Sequence, residues 1–434
     1  MSRNICALAL LFLHYFILGD QRRIGKRHDL NWDVYTQLGN NQGVYTASVN
    51  YPDLSIVGAL VSQKGALGTA TLIAPNYVVT AAHVVKNDYY TVVNASEWQF
   101  VMHNDISDSS AAQRFQAKSI LIHPAWSALQ SAADVNGSGD IMGVDLALVE
   151  LSQPVLGFYP ARLPSAGDDP LGGHAVLSGY GSLIEGDSGV GNTSNDIRVG
   201  GENIIDRSVA RINLPGLDVS LWGGLLGIDF DSPLQSDNTL SSAQPFGATD
   251  LLIEVRNALG AGESSPSPLA LEASTAYGDS GGPAFVHTNG FWRVHGVVSY
   301  GTNESKYGDV TLYTRIASHY DWLLKELPDW ADSKLLDASS WRQNPWLGTI
   351  LPFSNGWAFH INLGWIYTPT PKGNHFWGWS HHLNHWIWLS DQAIPYVYCF
   401  NEEQPFWIYL DFEKSDASSV RAYDYSSKTW KNYP

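Results

Sequence analysis

Ser280 stands in a segment whose composition suits a reactive hydroxyl group. The sequence Ala-Tyr-Gly-Asp-Ser-Gly-Gly-Pro over residues 276–283 surrounds this serine with glycines. Glycines permit a tight turn in which backbone N–H groups converge on a developing oxyanion. A serine hydroxyl is unreactive at neutral pH without a general base, and the base needs a third group that fixes its tautomer. The segment therefore predicts a histidine and a carboxylate elsewhere in the chain.

Both partners occur upstream, at the ends of segments that have the pattern of strands. His83 follows the run Tyr-Val-Val at 77–79, and Asp145 lies in the apolar segment 144–149. From residue 55 to 85, short apolar runs alternate with Gly, Ser, Asn and Pro turns, which is typical of an all-β barrel or sandwich. The order His83, Asp145, Ser280 is one of the known orders of a Ser-His-Asp triad. We therefore expect strands and their connecting turns to position the three residues.

The motifs around these residues resemble those of the trypsin/chymotrypsin family of serine proteases, whose triad has the same order. The similarity covers roughly residues 50 to 327 and implies two six-stranded β-barrels followed by a C-terminal helix over Ile316–Leu327. Further motifs in the family's order are Gly68-Thr69-Ala70-Thr71-Leu72-Ile73, Ile122-His123-Pro124, Gly179-Tyr180-Gly181, the segment 296–301, and Tyr313-Thr314-Arg315 followed by Tyr320-Asp321-Trp322-Leu323.

The resemblance also assigns roles to the residues. His83 would take the proton of Ser280 as the hydroxyl attacks a peptide carbonyl, and Asp145 would orient the imidazole. The N–H groups of Gly278 and Ser280 would form the oxyanion hole. This chemistry implies no metal ion and no organic cofactor.

Four further positions match the family's primary substrate pocket: Ser274, Ser299, Gly301 and Thr311. Ser274 takes the place where trypsin-like enzymes carry an aspartate for Lys or Arg substrates. Gly301 matches an open wall, and Thr311 falls where a glycine often leaves room for large rings. A neutral pocket floor cannot pair a cation, so we expect an apolar P1 preference.

The activation sequence of the animal members of the family has no counterpart in this chain. In those enzymes a freed N-terminal ammonium pairs with the aspartate that precedes the serine, here Asp279. A basic residue followed by Ile-Val-Gly-Gly is not found in this chain. Because a buried carboxylate without a partner is costly, we hypothesise that Arg27 or His28 replaces the ammonium.

Cysteine usage is a second departure from the animal enzymes. The chain has only Cys6 and Cys399, and residues 68, 84 and 276, where such enzymes usually place cysteines, are Gly, Val and Ala. If Cys6 leaves with a signal peptide, no intramolecular disulfide can form. This favours a bacterial source.

Length and charge limit the domain organisation and the partners. A chain of 434 residues with 44% apolar and 15% charged residues predicts two or three folded domains. The net charge of −17 argues against nucleic acid as a partner, because phosphate binding depends on clustered Lys and Arg. Protein or peptide substrates are expected instead.

The chain divides into five predicted segments. Residues 1–19 have the basic start and short apolar run of a signal peptide. This predicts export, with a secreted or envelope-associated protein. An N-terminal segment at 20–50, the protease domain at 51–327 and a linker at 328–345 follow.

Residues 134–140 have some character of a calcium loop, but the twelfth position would be Asp145, so we interpret them as a surface loop.

Residues 346–434 predict a small antiparallel β module that is rich in aromatic residues. Ten of the seventeen tryptophans lie between residues 341 and 430. Runs such as Trp-Ile-Trp-Leu at 386–389 alternate as half-buried strands do. The aromatics could form the core or an outer stacking platform, and we expect the core to contain most of them. We also expect the module to contact the cell envelope or a polysaccharide.

The sequence thus predicts a secreted serine endopeptidase that acts through an acyl-enzyme. Two alternatives remain open at this point. The chain could be a catalytically inactive trypsin-like fold used as a binding or scaffold protein, or an envelope adhesin led by its aromatic module. The presence of all three triad residues favours the enzyme.

Overall fold

The computed structural model describes residues 24–41, 51–86, 93–131, 140, 142–189, 191–192, 196–212, 223–241, 259–260, 262–301, 305–337 and 339–434. The predicted signal peptide at 1–19 and most of the loop at 134–140 lie outside these residues. Within the described ranges, no helix is long and apolar enough to cross a membrane.

Two compact units make up the chain. The first holds the described residues up to Thr71, together with Val78–Ser152 and Ala166–His319. The second holds Leu72–Tyr77, Gln153–Ser165 and Tyr320–Pro434. The C-terminal module therefore shares its unit with two segments from the first half of the chain, which the sequence did not predict.

Strands dominate the chain up to residue 326, which confirms the predicted all-β class. The helices are α1 (Trp32–Gly39), α2 (Ala82–Val85), α3 (Pro124–Ser131) and α4 (Tyr320–Glu326). The strands are β1 (Ile24–Lys26), β2 (Val57–Ser62), β3 (Leu67–Ala74), β4 (Tyr77–Thr80), β5 (Trp98–Met102), β6 (Gln113–Ile122), β7 (Ala147–Leu151), β8 (His174–Gly179), β9 (Leu183–Glu185), β10 (Gly191–Asn192), β11 (Val199–Ile204), β12 (Arg207–Val209), β13 (Leu225–Asp229), β14 (Pro283–Thr288), β15 (Phe291–Gly301) and β16 (Val310–Arg315).

Six of these strands close into a barrel in the order β2-β3-β4-β7-β6-β5, as the family resemblance implied. The strands are short, apolar and bounded by turns, so that they bury side chains such as Leu60, Phe100 and Val149 completely. His83 lies in α2, directly after β4, and Asp145 lies just before β7. The barrel therefore carries the candidate base and the candidate orienting group on neighbouring strands.

A second antiparallel sheet has the order β11-β8-β14-β15-β16-β13-β12. In the described residues it is an open seven-stranded sheet, where the resemblance implied a second six-stranded barrel. Its buried cluster includes Leu177, Ile228, Val298 and Tyr313. Ser280 lies in the turn just before β14, so this sheet positions the candidate nucleophile.

The region from 182 to 267 has weak strand signals in the sequence but contributes β9 to β13 to the fold. β11, β12 and β13 belong to the seven-stranded sheet, and β9 pairs with β1 and β10. Residues 213–222 and 242–258 of this region lie outside the described part. Part of the described region is therefore sheet rather than loop.

The predicted helix at Ile316–Leu327 forms in two parts. Ile316–His319 is a 3₁₀ turn, and Tyr320–Glu326 is α4. The boundary between the two compact units falls between His319 and Tyr320. Further 3₁₀ turns are Leu54–Ile56, Ala95–Glu97 and Phe412–Lys414.

The second unit is built around an eleven-stranded antiparallel sheet in which every strand pairs with the next along the chain. This confirms an antiparallel β structure after the helix. Its strands are β17 (Lys334–Leu335), β18 (Arg342–Asn344), β19 (Gly348–Pro352), β20 (Trp357–His360), β21 (Gly364–Tyr367), β22 (His375–Ser380), β23 (His385–Ser390), β24 (Tyr396–Phe400), β25 (Phe406–Leu410), β26 (Val420–Asp424) and β27 (Thr429–Tyr433).

The two faces of this sheet differ in composition. Alternate positions point to opposite faces, and the buried face is mainly aliphatic, with residues such as Ile366, Ile387, Val397 and Ile408. Most aromatic side chains lie on the opposite face. The expectation that the core contains most of the aromatics is therefore wrong, because the aliphatic residues between them fill the core.

Cys399 lies in this core and is almost fully buried. Burial raises the pKa of its thiol to about 12, so the thiol stays protonated at neutral pH. The thiolate is the reactive form of cysteine. Cys399 is therefore a core residue rather than a reactive group.

Candidate active site

Asp145 is the most tightly held member of the predicted triad. Its side chain has no exposure to solvent. Its carboxylate accepts hydrogen bonds from the His83 Nδ1–H at 2.6 Å, the His83 backbone N–H at 3.0 Å and the Ser299 hydroxyl at 2.6 Å. Burial alone would raise its pKa, but the imidazole and these hydrogen bonds hold the pKa of Asp145 below its ordinary value. The carboxylate is therefore ionised at neutral pH and fixes the His83 tautomer that carries hydrogen on Nδ1.

The turn that carries Ser280 packs against the segment that carries His83. The Ser280 carbonyl accepts from the Thr69 N–H at 2.8 Å. A Cβ on Gly281 would overlap the Thr80 hydroxyl and the Thr69 carbonyl, so that only glycine allows this approach. Thr80 is the last residue of β4, three positions before His83. The Ser280 turn thus lies beside the end of the strand that leads to His83, whose ring binds Asp145.

Thr69 connects three parts of this site. Its N–H donates to Ser280, its hydroxyl donates to the Gly278 carbonyl at 2.8 Å, and its carbonyl accepts from the Thr80 hydroxyl at 2.8 Å. Thr69 is completely buried in β3. The sequence showed it only as part of a family motif, and its position as a link between the two loops follows from strand pairing that no local pattern reveals.

The predicted oxyanion hole has suitable backbone geometry. Gly278 has φ +97°, a conformation that residues with a Cβ rarely adopt. Among the residues that the structure describes, the N–H groups of Gly278 and Ser280 donate to no protein acceptor. Both donors are therefore available to a substrate oxygen.

Asp140 adds a second carboxylate that the sequence did not assign to the site. One ligand atom each of His83, Asp140 and Asp145 lie within 4.8 Å of one another. The Trp126 indole N–H donates to Asp140 Oδ1 at 2.6 Å, which helps to hold the side chain in place. The sequence places Asp140 at the end of a predicted surface loop, and the only signal for another role is its position five residues before Asp145.

Three of the predicted pocket residues lie together. The Ser274 and Thr311 hydroxyls are 3.2 Å apart, and Gly301 pairs with Thr311 across β15 and β16. The Thr275 hydroxyl is 3.0 Å from that of Thr311. Ser299 is different, because its hydroxyl binds Asp145. Hydroxyl groups therefore line this part of the predicted pocket, and Ser299 supports the Asp145 carboxylate.

Asp279 has partners other than those proposed from the sequence. Its carboxylate accepts from the Gly181 N–H at 2.8 Å and the Ala276 N–H at 2.9 Å. It is fully buried, and burial raises its pKa well above the ordinary value.

The two residues proposed as its partner bind elsewhere. Arg27 pairs with Asp29 at 2.7 Å, and the His28 ring lies 2.9 Å from the Tyr307 hydroxyl. The hypothesis that Arg27 or His28 pairs with Asp279 is therefore wrong.

Comparison with known proteins gives one family and several relatives. The Trypsin family model matches residues 44–213 and 254–323, which is more than half of the chain. The chain is 26% identical to chymotrypsin-like elastase family member 1 of Rattus norvegicus over 262 residues, which are 58% of this chain and 76% of that protein. It is 23% identical to trypsin-1 of Astacus astacus over 259 residues, which are 58% of this chain and 85% of that protein.

A third relative is much longer than the matched region. The chain is 28% identical to the complement C1s-1 subcomponent of Mus musculus over 265 residues, which are 59% of this chain and only 32% of that protein. These three relatives are animal proteins, so they do not test the expectation of a bacterial source. The family model ends at residue 323, before the eleven-stranded sheet begins.

Proposed function

Because the chain belongs to the trypsin family of serine proteases, we propose that it is a serine endopeptidase that uses His83, Asp145 and Ser280. The observation that carries the proposal is the buried Asp145 carboxylate, which binds both the Nδ1–H and the backbone N–H of His83. A carboxylate removed from water is costly unless it has such partners. This arrangement does what general base catalysis by His83 needs, since it orients the ring and stabilises the imidazolium.

The reaction proceeds through an acyl-enzyme. His83 Nε2 takes the proton of the Ser280 hydroxyl as the oxygen attacks the peptide carbonyl carbon, and the resulting oxyanion accepts from the N–H groups of Gly278 and Ser280. His83 then gives the proton to the leaving amine. Water attacks the ester in the same way and frees Ser280.

The inactive-scaffold alternative predicts a damaged site. The ordered Asp145 pair and the unused N–H groups of Gly278 and Ser280 support the enzyme instead. Purified protein should hydrolyse peptide substrates, and the Ser280→Ala variant should not. Equal hydrolysis by both proteins would assign the activity to a contaminant and would support the scaffold.

The pocket residues support an apolar P1 preference. The hydroxyls of Ser274 and Thr311 bind each other, and neither carries a charge that could pair with a cation. A buried Lys or Arg side chain without a counter-charge costs several kcal/mol. We predict a kcat/KM for Leu, Met or aromatic P1 residues on the order of 100-fold above that for Lys or Arg. A substrate library profile dominated by basic P1 residues would contradict this prediction.

We further propose that the protein is exported and that its C-terminal sheet holds it at the cell envelope or on a polysaccharide. The amino-terminal pattern of residues 1–19 and the aromatic face of the sheet support this part. Fractionation of cells that produce the full chain tests it, since we expect the protein in the envelope or outside the cell and not in the cytoplasm.

A further inference from the structure

The exposed face of the C-terminal sheet contains an open cleft of about 390 Å³. It is lined by Phe353, Asn355, Trp357, Trp365 and His381. Small-molecule sites usually have volumes of a few hundred Å³ or more and combine apolar walls with a few polar groups. The cleft has the size and the mixture of groups of such a site.

The aromatic walls are held in fixed positions. The Phe353 and Trp365 ring centroids lie 5.4 Å apart with the planes tilted by 36°. Phe359 packs edge-on against Trp365 from another direction, at 5.3 Å. Even so, Phe353 and Trp365 stay 44% and 41% exposed. A ligand would therefore meet rings whose orientation is set before binding.

Two polar side chains complete the lining. The Asn355 Oδ1 accepts from the Trp357 N–H at 3.3 Å, which orients the amide. Across the described part of the chain, the Asn355 Nδ2 group and the His381 ring nitrogens make no hydrogen bond to protein. They are available to hydroxyl groups, as both donor and acceptor.

Aromatic residues continue from the cleft across the sheet. Trp357 pairs with Tyr367, Tyr367 with Trp379, Trp379 with Trp386 and Trp386 with Phe400. These residues stand directly opposite one another on β20 to β24. Neighbouring strands are about 4.8 Å apart, so the row extends over roughly 19 Å. A ligand longer than one ring can therefore extend from the cleft along the row.

The chemistry of this surface selects a class of ligand. Among the residues that the structure describes, no Asp, Glu, Lys or Arg lines the cleft, in a chain whose net charge is −17. An anionic polymer would lack a cation to bind, and a lipid surface is usually recognised with the help of Lys and Arg. A sugar ring has C–H bonds on its face, which suit the negative face of an aromatic ring, and hydroxyls at its edge.

We propose that the cleft and the adjoining aromatic row bind a neutral polysaccharide. Sugar rings pack on Trp365 and Trp357, and their hydroxyls bond to Asn355 and His381. The inference rests on the proposed retention by the C-terminal sheet and not on peptidase activity.

The test uses the full chain with Ser280→Ala. This parent protein lacks the proposed nucleophile, so peptidase activity cannot affect the binding result. The protein is mixed with insoluble cellulose, mannan and xylan, and with soluble mixed-linkage β-glucan in affinity gels. Polygalacturonate is the anionic control. We expect binding to at least one neutral polymer and none to polygalacturonate.

Two matched variants locate the site. Trp365→Ala should weaken binding at least about tenfold, the effect of losing one stacked ring. Trp430→Ala removes an equally exposed ring on β27 and should bind as the parent does. An unchanged midpoint of cooperative thermal denaturation would show that each variant is folded.

Three outcomes would overturn the proposal. They are no retention by any neutral polymer, equal retention by polygalacturonate, and retention that Trp365→Ala leaves unchanged. Binding to phosphatidylglycerol vesicles or self-association that depends on Trp365, without glycan binding, would identify the face as a lipid or protein surface. None of these outcomes would affect the endopeptidase proposal, which Ser280 variants test separately.

Discussion

Asp145 shows how one buried charge can determine the geometry of a site. It is enclosed by three donors from two segments, namely the backbone and ring of His83 and the hydroxyl of Ser299. Its own carbonyl accepts from the Thr314 hydroxyl at 2.9 Å. Since each donor is needed to offset the loss of water, the carboxylate has few alternative positions. His83 is therefore held in one orientation before any substrate arrives.

Asp140 gives a residue-scale prediction about pH dependence. A carboxylate close to an imidazole favours the imidazolium, which is inactive as a base. Asp140→Asn should therefore move the acidic limb of the kcat/KM profile to lower pH. The measurement is a pH profile with a neutral peptide substrate.

Glu97→Gln is the control for this experiment. It removes the same charge from a residue that pairs with Lys64 at 2.8 Å and lies outside the His83 cluster. Its profile should match that of the wild type. If the acidic limb of the kcat/KM profile of Asp140→Asn stays in place, or moves to higher pH, then Asp140 does not stabilise the imidazolium of His83.

At the scale of elements, the buried His319 and the partly buried His123 connect the barrel to the 3₁₀ turn after β16. His123 follows β6 directly, and its Nε2 lies 3.2 Å from Nδ1 of His319. The other ring nitrogen of His319 donates to the Gly143 carbonyl at 2.7 Å. Gly143 lies two residues before Asp145, so this contact supports the segment that carries the triad carboxylate.

Burial lowers the pKa of His123 to about 3 and that of His319 to about 4, from an ordinary value of 6.5. The unfolded chain therefore binds more protons than the folded chain as the pH falls from 6.5 towards 4. Well above pH 6.5 both histidines are neutral in the folded and in the unfolded chain, and their contribution to the free energy of unfolding is complete. Below it, the free energy of unfolding should fall by up to about 1.4 kcal/mol per pH unit for each group.

His319→Gln keeps a donor for Gly143 but removes one titrating group. We predict that the free energy of unfolding of this variant depends less steeply on pH between 6 and 4 than that of the wild type. Urea denaturation at several pH values measures the difference. An equal slope in the two proteins would show that His319 does not titrate in this range.

For the whole molecule, the division into two units bears on the independence of the C-terminal sheet. Within the second unit, Arg162 binds Asp391 at 2.6 Å, and both side chains are 1% exposed. The Gly157 N–H also donates to the Leu335 carbonyl at 3.0 Å. Residues 153–165 are thus tied to the sheet that follows residue 327, although they precede it by more than 150 positions.

We therefore predict that a chain truncated after Leu327 is unstable rather than an independent protease. Asp391→Asn isolates the cause, since it removes the carboxylate that binds the buried Arg162 guanidinium and should destabilise the protein by about 3–5 kcal/mol. Thermal denaturation of the full-length variants measures this effect.

Asp411→Asn is the matched control, because Asp411 pairs with Arg421 at 3.7 Å near the surface. It should cost at most about 1 kcal/mol. A truncated protein that melts like the complete chain would show that the sheet and the protease are independent.

The sequence predicted best what local motifs encode. The position of Ser280 before a strand and the closed barrel both follow from short patterns that the family resemblance connects. Thr69 and Asp140 could not be found in this way. Their roles depend on which strands pair and on how a loop returns to the barrel, and neither is visible in the neighbouring residues.

The aromatic module shows the limit of composition as a guide. Alternation predicted strands over residues such as Trp386–Leu389, and strands formed there. Composition alone suggested an aromatic core. In the structure, the aliphatic residues that alternate with the aromatic residues along the strands face the core instead. Which of two alternating sets faces the core depends on what the sheet packs against, and this is a tertiary property.

Reactivity of Ser280 towards a fluorophosphonate tests the central claim most directly. The probe reacts only with a serine that a neighbouring base activates, and mass spectrometry identifies the labelled residue. We predict that the folded, processed wild-type protein is labelled at Ser280, that Asp145→Asn is labelled far more slowly because His83 is in the wrong tautomer, and that Ser280→Ala is not labelled. Folded wild type that is as unreactive as Ser280→Ala would contradict the account.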